Sequence, residues 1–272
     1  MAQSPVVITV APNGAYKQKT DHPALPITAA EIAIAAEQAV QAGATMIHAH
    51  ARDDQGRHSL DPVLNQQVWD AIRQRVDDRI VVQLTTEAAG VFKPDQQIAM
   101  VRKVKPEAVS FALRELIPDP TSVKQATAFF HWVAEQQLIP QYILYSAEEL
   151  EWYKQLRQTG VIPEQPHQLL FVLGRYHQQQ QSSPQDLEPF LQSGCKDLNW
   201  MVCAFGKAEH LCARRALELD GDVRVGFENN LLNSRGQQAA DNAELVRQVS
   251  DMADAVNRSR MSANQFRRYF MA

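Results

Sequence analysis

Eight times along this 272-residue chain, a short apolar run rich in Val and Ile is followed by a longer stretch of helical character. Strand and helix in strict alternation restrict a chain to parallel sheet, because each parallel strand needs a crossover back along the sheet. The expected strands are Val6 to Pro12, a run centred on His48, Ile80 to Thr86 and Ala108 to Leu113, then Ile139 to Tyr145, Leu169 to Gly174, Leu198 to Phe205 and Val223 to Glu228. Helix starts stand between them. Thr28 with Glu31 has capping-box spacing and that helix ends near Gly43, Asp61-Pro62 opens the next, and Pro94, Ser122, Ala147, Ser183-Pro184, Lys207 and Asp241 mark later ones. A doubly wound open sheet shows the same alternation. The count of eight, and polar residues gathered at the C-terminal strand ends, favour a (β/α)8 TIM barrel over residues 1–272 with a C-terminal helical tail. No internal repeat or linker divides the chain, and Gln178 to Ser183 reads as an exposed loop.

The composition is that of a soluble globular protein, with 45% hydrophobic residues and a net charge of −4. That mild acidity gives no reason to expect nucleic acid or membrane as partner. Cys195, Cys203 and Cys212 lack C-x-x-C spacing, and an odd count without a pairing pattern points to a reducing, cytoplasmic setting. The start Met1-Ala2-Gln3-Ser4-Pro5 lacks the character of a secretory leader. The basic tail Arg258 to Arg268 is expected to pack on a neighbouring subunit.

The chemistry concentrates in Ile47-His48-Ala49-His50-Ala51-Arg52-Asp53. Residues two apart on a strand share a face, so His48 and His50 form half of a divalent metal site. Glu228, at the far end of the eighth strand, is the third candidate ligand, since barrel closure gathers strand ends around one rim. Two histidines and one carboxylate suit a catalytic Zn2+, although ligand type alone does not exclude another divalent ion. Arg224 shares the expected strand parity of Glu228, and a buried arginine needs a carboxylate or an anionic substrate. Thr85 and Thr86 end the third strand, Ser110 lies in the fourth, and Asn13-Gly14 close the first. Glu107 reads as a loop charge, His177 and Tyr176 as an exposed loop near the sixth strand, His131 as surface, and His58 has no evident role.

These motifs resemble the β-keto acid cleavage enzymes. The resemblance spans nearly the whole chain, through Ile27 to Glu31, Ala42 to Ala44, Ile47 to Asp53, Lys105 to Glu107, Val223 to Glu228 and Asp241 to Val246. It implies a zinc-dependent barrel, a homotetramer or homodimer, that condenses a 3-keto acid with acetyl-CoA to give acetoacetate and a new acyl-CoA. His48, His50 and Glu228 would hold the metal, Thr85 would contact substrate, and Arg224 would work with an adjacent acid. Asn13, Tyr16, Thr86 and Ser110 complete the expected substrate-binding set. Several positions depart from the family pattern. Asn229 replaces the Asp that serves as base, Ile143 replaces a glutamate, and Glu87-Ala88 replaces a Gly-Gly pair. Tyr16 stands where the aminohexanoate enzymes read a substrate amine with an acid, and Arg175 to Gln181 replaces a Gly-rich loop. Glu87, beside Thr86, is the expected substitute base. A relative that kept the metal but lost catalysis is the alternative reading. A metal-dependent amidohydrolase ranks last, since its histidine pair sits on the first strand.

Overall fold

The computed structural model describes residues 4–195 and 197–271; Met1 to Gln3 of the expected leaderless start lie outside it. Eight parallel strands close into a barrel in chain order: β1 (Ile8–Val10), β2 (Met46–Ala49), β3 (Val81–Leu84), β4 (Ala108–Ala112), β5 (Ile139–Leu144), β6 (Gln168–Leu173), β7 (Trp200–Ala204) and β8 (Asp222–Val225). The ring shuts where β1 meets β8, with Ile8, Thr9 and Val10 opposite Val223, Arg224 and Val225. The helices are α1 (Ala29–Ala42), α2 (Pro62–Val76), α3 (Pro94–Val104), α4 (Leu113–Leu116), α5 (Val123–Glu135), α6 (Ala147–Gln158), α7 (Glu188–Gln192), α8 (Glu209–Glu218), α9 (Asn242–Ala255) and α10 (Ala263–Phe270).

Strand alternation divides the core into two shells. Val6, Ile8 and Val10 point outward against the helices, while Val7 points inward with Met46, Val81, Ala108 and Ile139. The helices start where the sequence marks them. Thr28 and Glu31 form the reciprocal capping box of α1, and Gly43 ends that helix in the left-handed region. Asp61 caps α2 ahead of Pro62. The helix expected at Ser183-Pro184 is instead a 3-10 turn followed by the short α7. No helix among the described residues is long and apolar enough to cross a membrane.

Other expectations change. The apolar face of the C-terminal segment is taken up within the chain: Ala263, Phe266 and Phe270 of α10 turn into the barrel's N-terminal mouth and join the inner core. Apolar residues one turn apart make a stripe that the open barrel end covers. Glu107 is no loose loop charge. It accepts from the backbone N–H of Val82 at 2.7 Å, pairs with Arg73, and takes the Arg267 guanidinium at 2.8 Å, which fastens α10 to the barrel floor.

The expected eighth strand is also too long. It stops at Val225 because Gly226 adopts φ +143, where the chain turns around the Ala11 carbonyl. That carbonyl accepts from Glu228 N at 3.1 Å, and a β-carbon at 226 would press into it. Gly226→Ala therefore adds backbone strain to a steric clash, each costing about 1–3 kcal/mol. We expect a loss of about 3 kcal/mol in urea unfolding; an unmoved midpoint would mean that the turn opens without cost.

Candidate metal centre and active site

Two strand ends build the centre. His48 lies within β2, His50 just beyond it, and Glu228 in the turn after β8. The two Nε2 atoms are 3.1 Å apart, and Glu228 Oε2 lies 3.7 Å from His48 Nε2 and 3.4 Å from His50 Nε2. Ligand atoms bonded to one tetrahedral ion at about 2.0–2.1 Å stand roughly 3.3–3.5 Å from each other, so this triangle is compatible with a shared divalent metal. Glu228 Oε2 is buried with no hydrogen-bond partner, as a carboxylate oxygen aimed at a cation would be.

The surroundings prepare each ligand. His48 Nδ1 is 2.7 Å from Gln83 Oε1, so that nitrogen carries the proton and Nε2 presents its lone pair. Burial holds His48 down at about 4 and His50 at about 3, which keeps both rings neutral. Burial alone would raise the Glu228 carboxyl, but Arg224 and the two histidines outweigh it and hold it well below the usual carboxylate range. Asn13 brackets the His50 peptide, donating to its carbonyl at 2.9 Å and accepting from its N–H at 3.3 Å. Arg52 ties the neighbouring loops by donating to the carbonyls of Gly14 and Gly56. Gly14, at φ +62, admits Glu228: a β-carbon there would lie 2.6 Å from Glu228 Cγ.

A cavity of about 240 Å³ opens beside these ligands. At its inner end Arg224 donates from Nη2 to Glu228 Oε1 at 3.0 Å and to Cys203 Sγ at 3.4 Å. Its Nε and Nη1 are buried without partners. A guanidinium held this way offers two donors to an anion. Thr85 Oγ1 accepts from Glu87 N at 3.0 Å, which leaves its own proton free to donate. Apolar walls follow, formed by Ala112, Ile143, Val172 and Phe205. The outer end is polar. Glu87 places Oε2 3.8 Å from His50 Nδ1 and Oε1 3.4 Å from Arg175 Nη2. Burial and the nearby Glu228 charge push the Glu87 carboxyl up to about 7, against the pull of Arg175. Lys17 donates to the Glu228 carbonyl at 2.7 Å, and burial lowers its ammonium.

The expected residues do not all reach the cavity. Asn13, Tyr16, Thr85, Thr86 and Glu87 line it with His48, Arg224 and Glu228. The Thr86 hydroxyl, however, donates to the Ser110 carbonyl at 2.8 Å. Ser110 itself sits one inward position below Ala112, off the cavity wall. Asn229 lines a shallow groove beyond Phe205 rather than the cavity, with both side-chain polar atoms buried and unpartnered. His58 does not line the cavity itself; its Nε2 meets the backbone carbonyl of Glu87, which does, at 2.9 Å. His131 is exposed against the Gly160 carbonyl. Sequence reading missed Gln83 and gave Arg175 no place in the site. Gln83 was findable: in strand register it stands opposite His48 and two residues before Thr85. Arg175 carries no such periodic signal, because it follows the turn at Gly174.

Comparison with known proteins agrees with this geometry. The sequence pattern of the family described as beta-keto acid cleavage enzyme matches residues 5–271. A 3-keto-5-aminohexanoate cleavage enzyme of Fusobacterium nucleatum is 30% identical over 93% of each chain. A 3-oxoadipate:acetyl-CoA acetyltransferase of Cupriavidus necator is 27% identical over 93% of this chain and 90% of its own. Among solved structures, ObcA in a ternary complex with a C4-CoA adduct and oxalate superposes with a TM-score of 0.73 at 16% identity, covering 92% of this chain and 68% of that one. A type I 3-dehydroquinate dehydratase of Clostridium difficile gives 0.60 at 10% identity over 94% of both. The last two likenesses concern the barrel alone. With the pattern matched from end to end, the chain belongs to the β-keto acid cleavage enzyme family.

Proposed function

We propose that the protein is a zinc-dependent acyltransferase that condenses a 3-keto acid with acetyl-CoA, releasing acetoacetate and a new acyl-CoA. In balance, the C2–C3 bond of the keto acid breaks, C2 joins the acetyl carbonyl carbon, and the remaining acyl group leaves on the CoA thiol; no redox change occurs. The observation that carries the reading is one arrangement: three candidate metal-ligand atoms within reach of one another, and beside them an arginine with two unpartnered nitrogens, at a cavity that His48, Glu228 and Arg224 line. The His2Glu donor set suits zinc, which would supply Lewis-acid polarisation of a bound carbonyl. Arg224 receives the substrate carboxylate through Nε and Nη1, and the Thr85 hydroxyl donates beside it. Glu87 is the carboxylate on the cavity wall that neither ligates the metal nor belongs to a backbone cap, so it is assigned the proton-transfer role that Asn229 cannot fill.

Zinc-loaded protein incubated with acetyl-CoA and a panel of 3-keto acids should yield acetoacetate and one new acyl-CoA by mass spectrometry. No product from any acid, with zinc confirmed bound, would favour the non-catalytic relative that Asn229 suggests. Glu87→Gln should lower kcat by about 10²–10⁴-fold while zinc content stays full, and full turnover would remove Glu87 from the mechanism. Gln83→Leu takes away the acceptor that fixes the His48 tautomer. It should weaken zinc binding about 10–100-fold in chelator competition with little change in the unfolding midpoint; undiminished affinity would show that burial alone orients the ring.

A further inference from the structure

The cavity wall across from the metal ligands carries a phenol with no role so far. In the closed ring β5 stands opposite β1, so Tyr145, the first residue beyond β5, enters the cavity from the side that faces the histidines and Glu228. It shares the inward face of Ile143 and lies two residues, about 6–7 Å, nearer the mouth. Its N–H donates to Glu149 Oε2 at 2.6 Å, and the other oxygen of that carboxylate takes Arg114 Nε at 2.5 Å. The Arg114 guanidinium carbon in turn stands 4.6 Å from the centre of the Tyr145 ring. Tyr176 meets the same ring edge-on, with 5.0 Å between centroids. A ring gripped by a cation and a second ring keeps one orientation. Among the described residues its hydroxyl has no hydrogen-bond partner. Burial, then Tyr176, Glu115 and Glu87, hold the phenol well above its ordinary range, so it stays a donor.

The condensation has an oxygen that needs such a donor. Two carbonyl groups take part. The keto acid is met at the inner end, by Arg224, Thr85 and the metal-ligating residues. The thioester carbonyl is met by none of these. A cavity of about 240 Å³ does not hold the body of CoA, so the acetyl group reaches inward from the mouth, past the level of Tyr145. Other donors on the wall are engaged. Asn13 holds the His50 peptide, Thr86 the Ser110 carbonyl and Lys17 the Glu228 carbonyl, while Arg175 faces Glu87. Ile143, one inward step below Tyr145, has no polar group to offer.

We infer that Tyr145 is the oxyanion donor for the thioester carbonyl of acetyl-CoA. The inference rests on the keto-acid reading above and adds a catalytic residue to it. After Glu87 takes a proton from C2 of the keto acid, C2 adds to the acetyl carbonyl carbon and the carbonyl electron pair moves onto its oxygen. The Tyr145 hydroxyl hydrogen-bonds that oxyanion and keeps its own proton. The pair returns as the C–S bond breaks and CoA departs as the thiolate, with no redox change.

Tyr145→Phe removes one oxygen and keeps the ring. With zinc, acetyl-CoA and a 3-keto acid that the natural protein turns over, kcat should fall about 10²–10³-fold. KM for the keto acid, zinc content and the unfolding midpoint should not move. Full turnover by Tyr145→Phe would overturn the inference and leave the keto-acid reading standing. A second measurement needs no turnover. Acetyl-CoA labelled with carbon-13 at its carbonyl is bound to the zinc-loaded protein without keto acid and followed by isotope-edited infrared spectroscopy. Its carbonyl stretch should lie at lower frequency on the natural protein than on Tyr145→Phe. Equal frequencies would overturn the inference even where kcat falls, because the hydroxyl would then act elsewhere. If the natural protein turns over no keto acid, that reading fails and the infrared comparison decides alone: a lowered frequency lost in Tyr145→Phe supports the donor, and its absence refutes it.

Discussion

The site depends on the buried pair between Arg224 and Glu228. Each charge would be costly at that depth by itself. Together they fix one another, and Arg224 keeps Glu228 an anion although burial works against it. The pair needs unusual backbone room. Gly226 turns the chain so that two residues four apart in sequence face each other, and Gly14 clears the space that the Glu228 side chain fills. Asn13 and Arg52 then lock the opposing loops around the histidines. The two histidines, the Arg224–Glu228 pair and the glycine turns form one construction.

Much of the fold was legible because its signals are local or periodic. The eightfold alternation, the Thr28–Glu31 box and the Asp61-Pro62 start act within a few residues, and each appears where expected. The His48 and His50 pairing was legible for the same reason, since it needs only strand parity. Glu228 converges on them as barrel closure led one to expect, but it lies in a turn off the strand, so the strand parity used to turn Arg224 inward does not extend to it.

What stayed hidden involves partners distant in sequence. Glu107 looked like a loop charge because its guanidinium partners come from residues 73 and 267. The basic, aromatic tail suggested an intermolecular face because an amphipathic stripe does not announce which surface covers it. Here the open floor of its own barrel does. Ser110 and Thr86 show a finer limit. A one-step change in depth or face separates a cavity wall from the interior of the sheet, and hydroxyl-bearing residues look alike in sequence on either side of that boundary.

The pairing of β1 with β8 has a consequence for how the chain comes into being. Ile8 to Val10 cannot complete their hydrogen bonding until residues 223–225 have been synthesised. Any sheet that forms before then leaves one edge of β1 without its partner. Such an edge is a template for the wrong neighbour, another nascent copy included. The histidines are made early and Glu228 late, so the candidate metal triad cannot assemble before the residues of this seam exist.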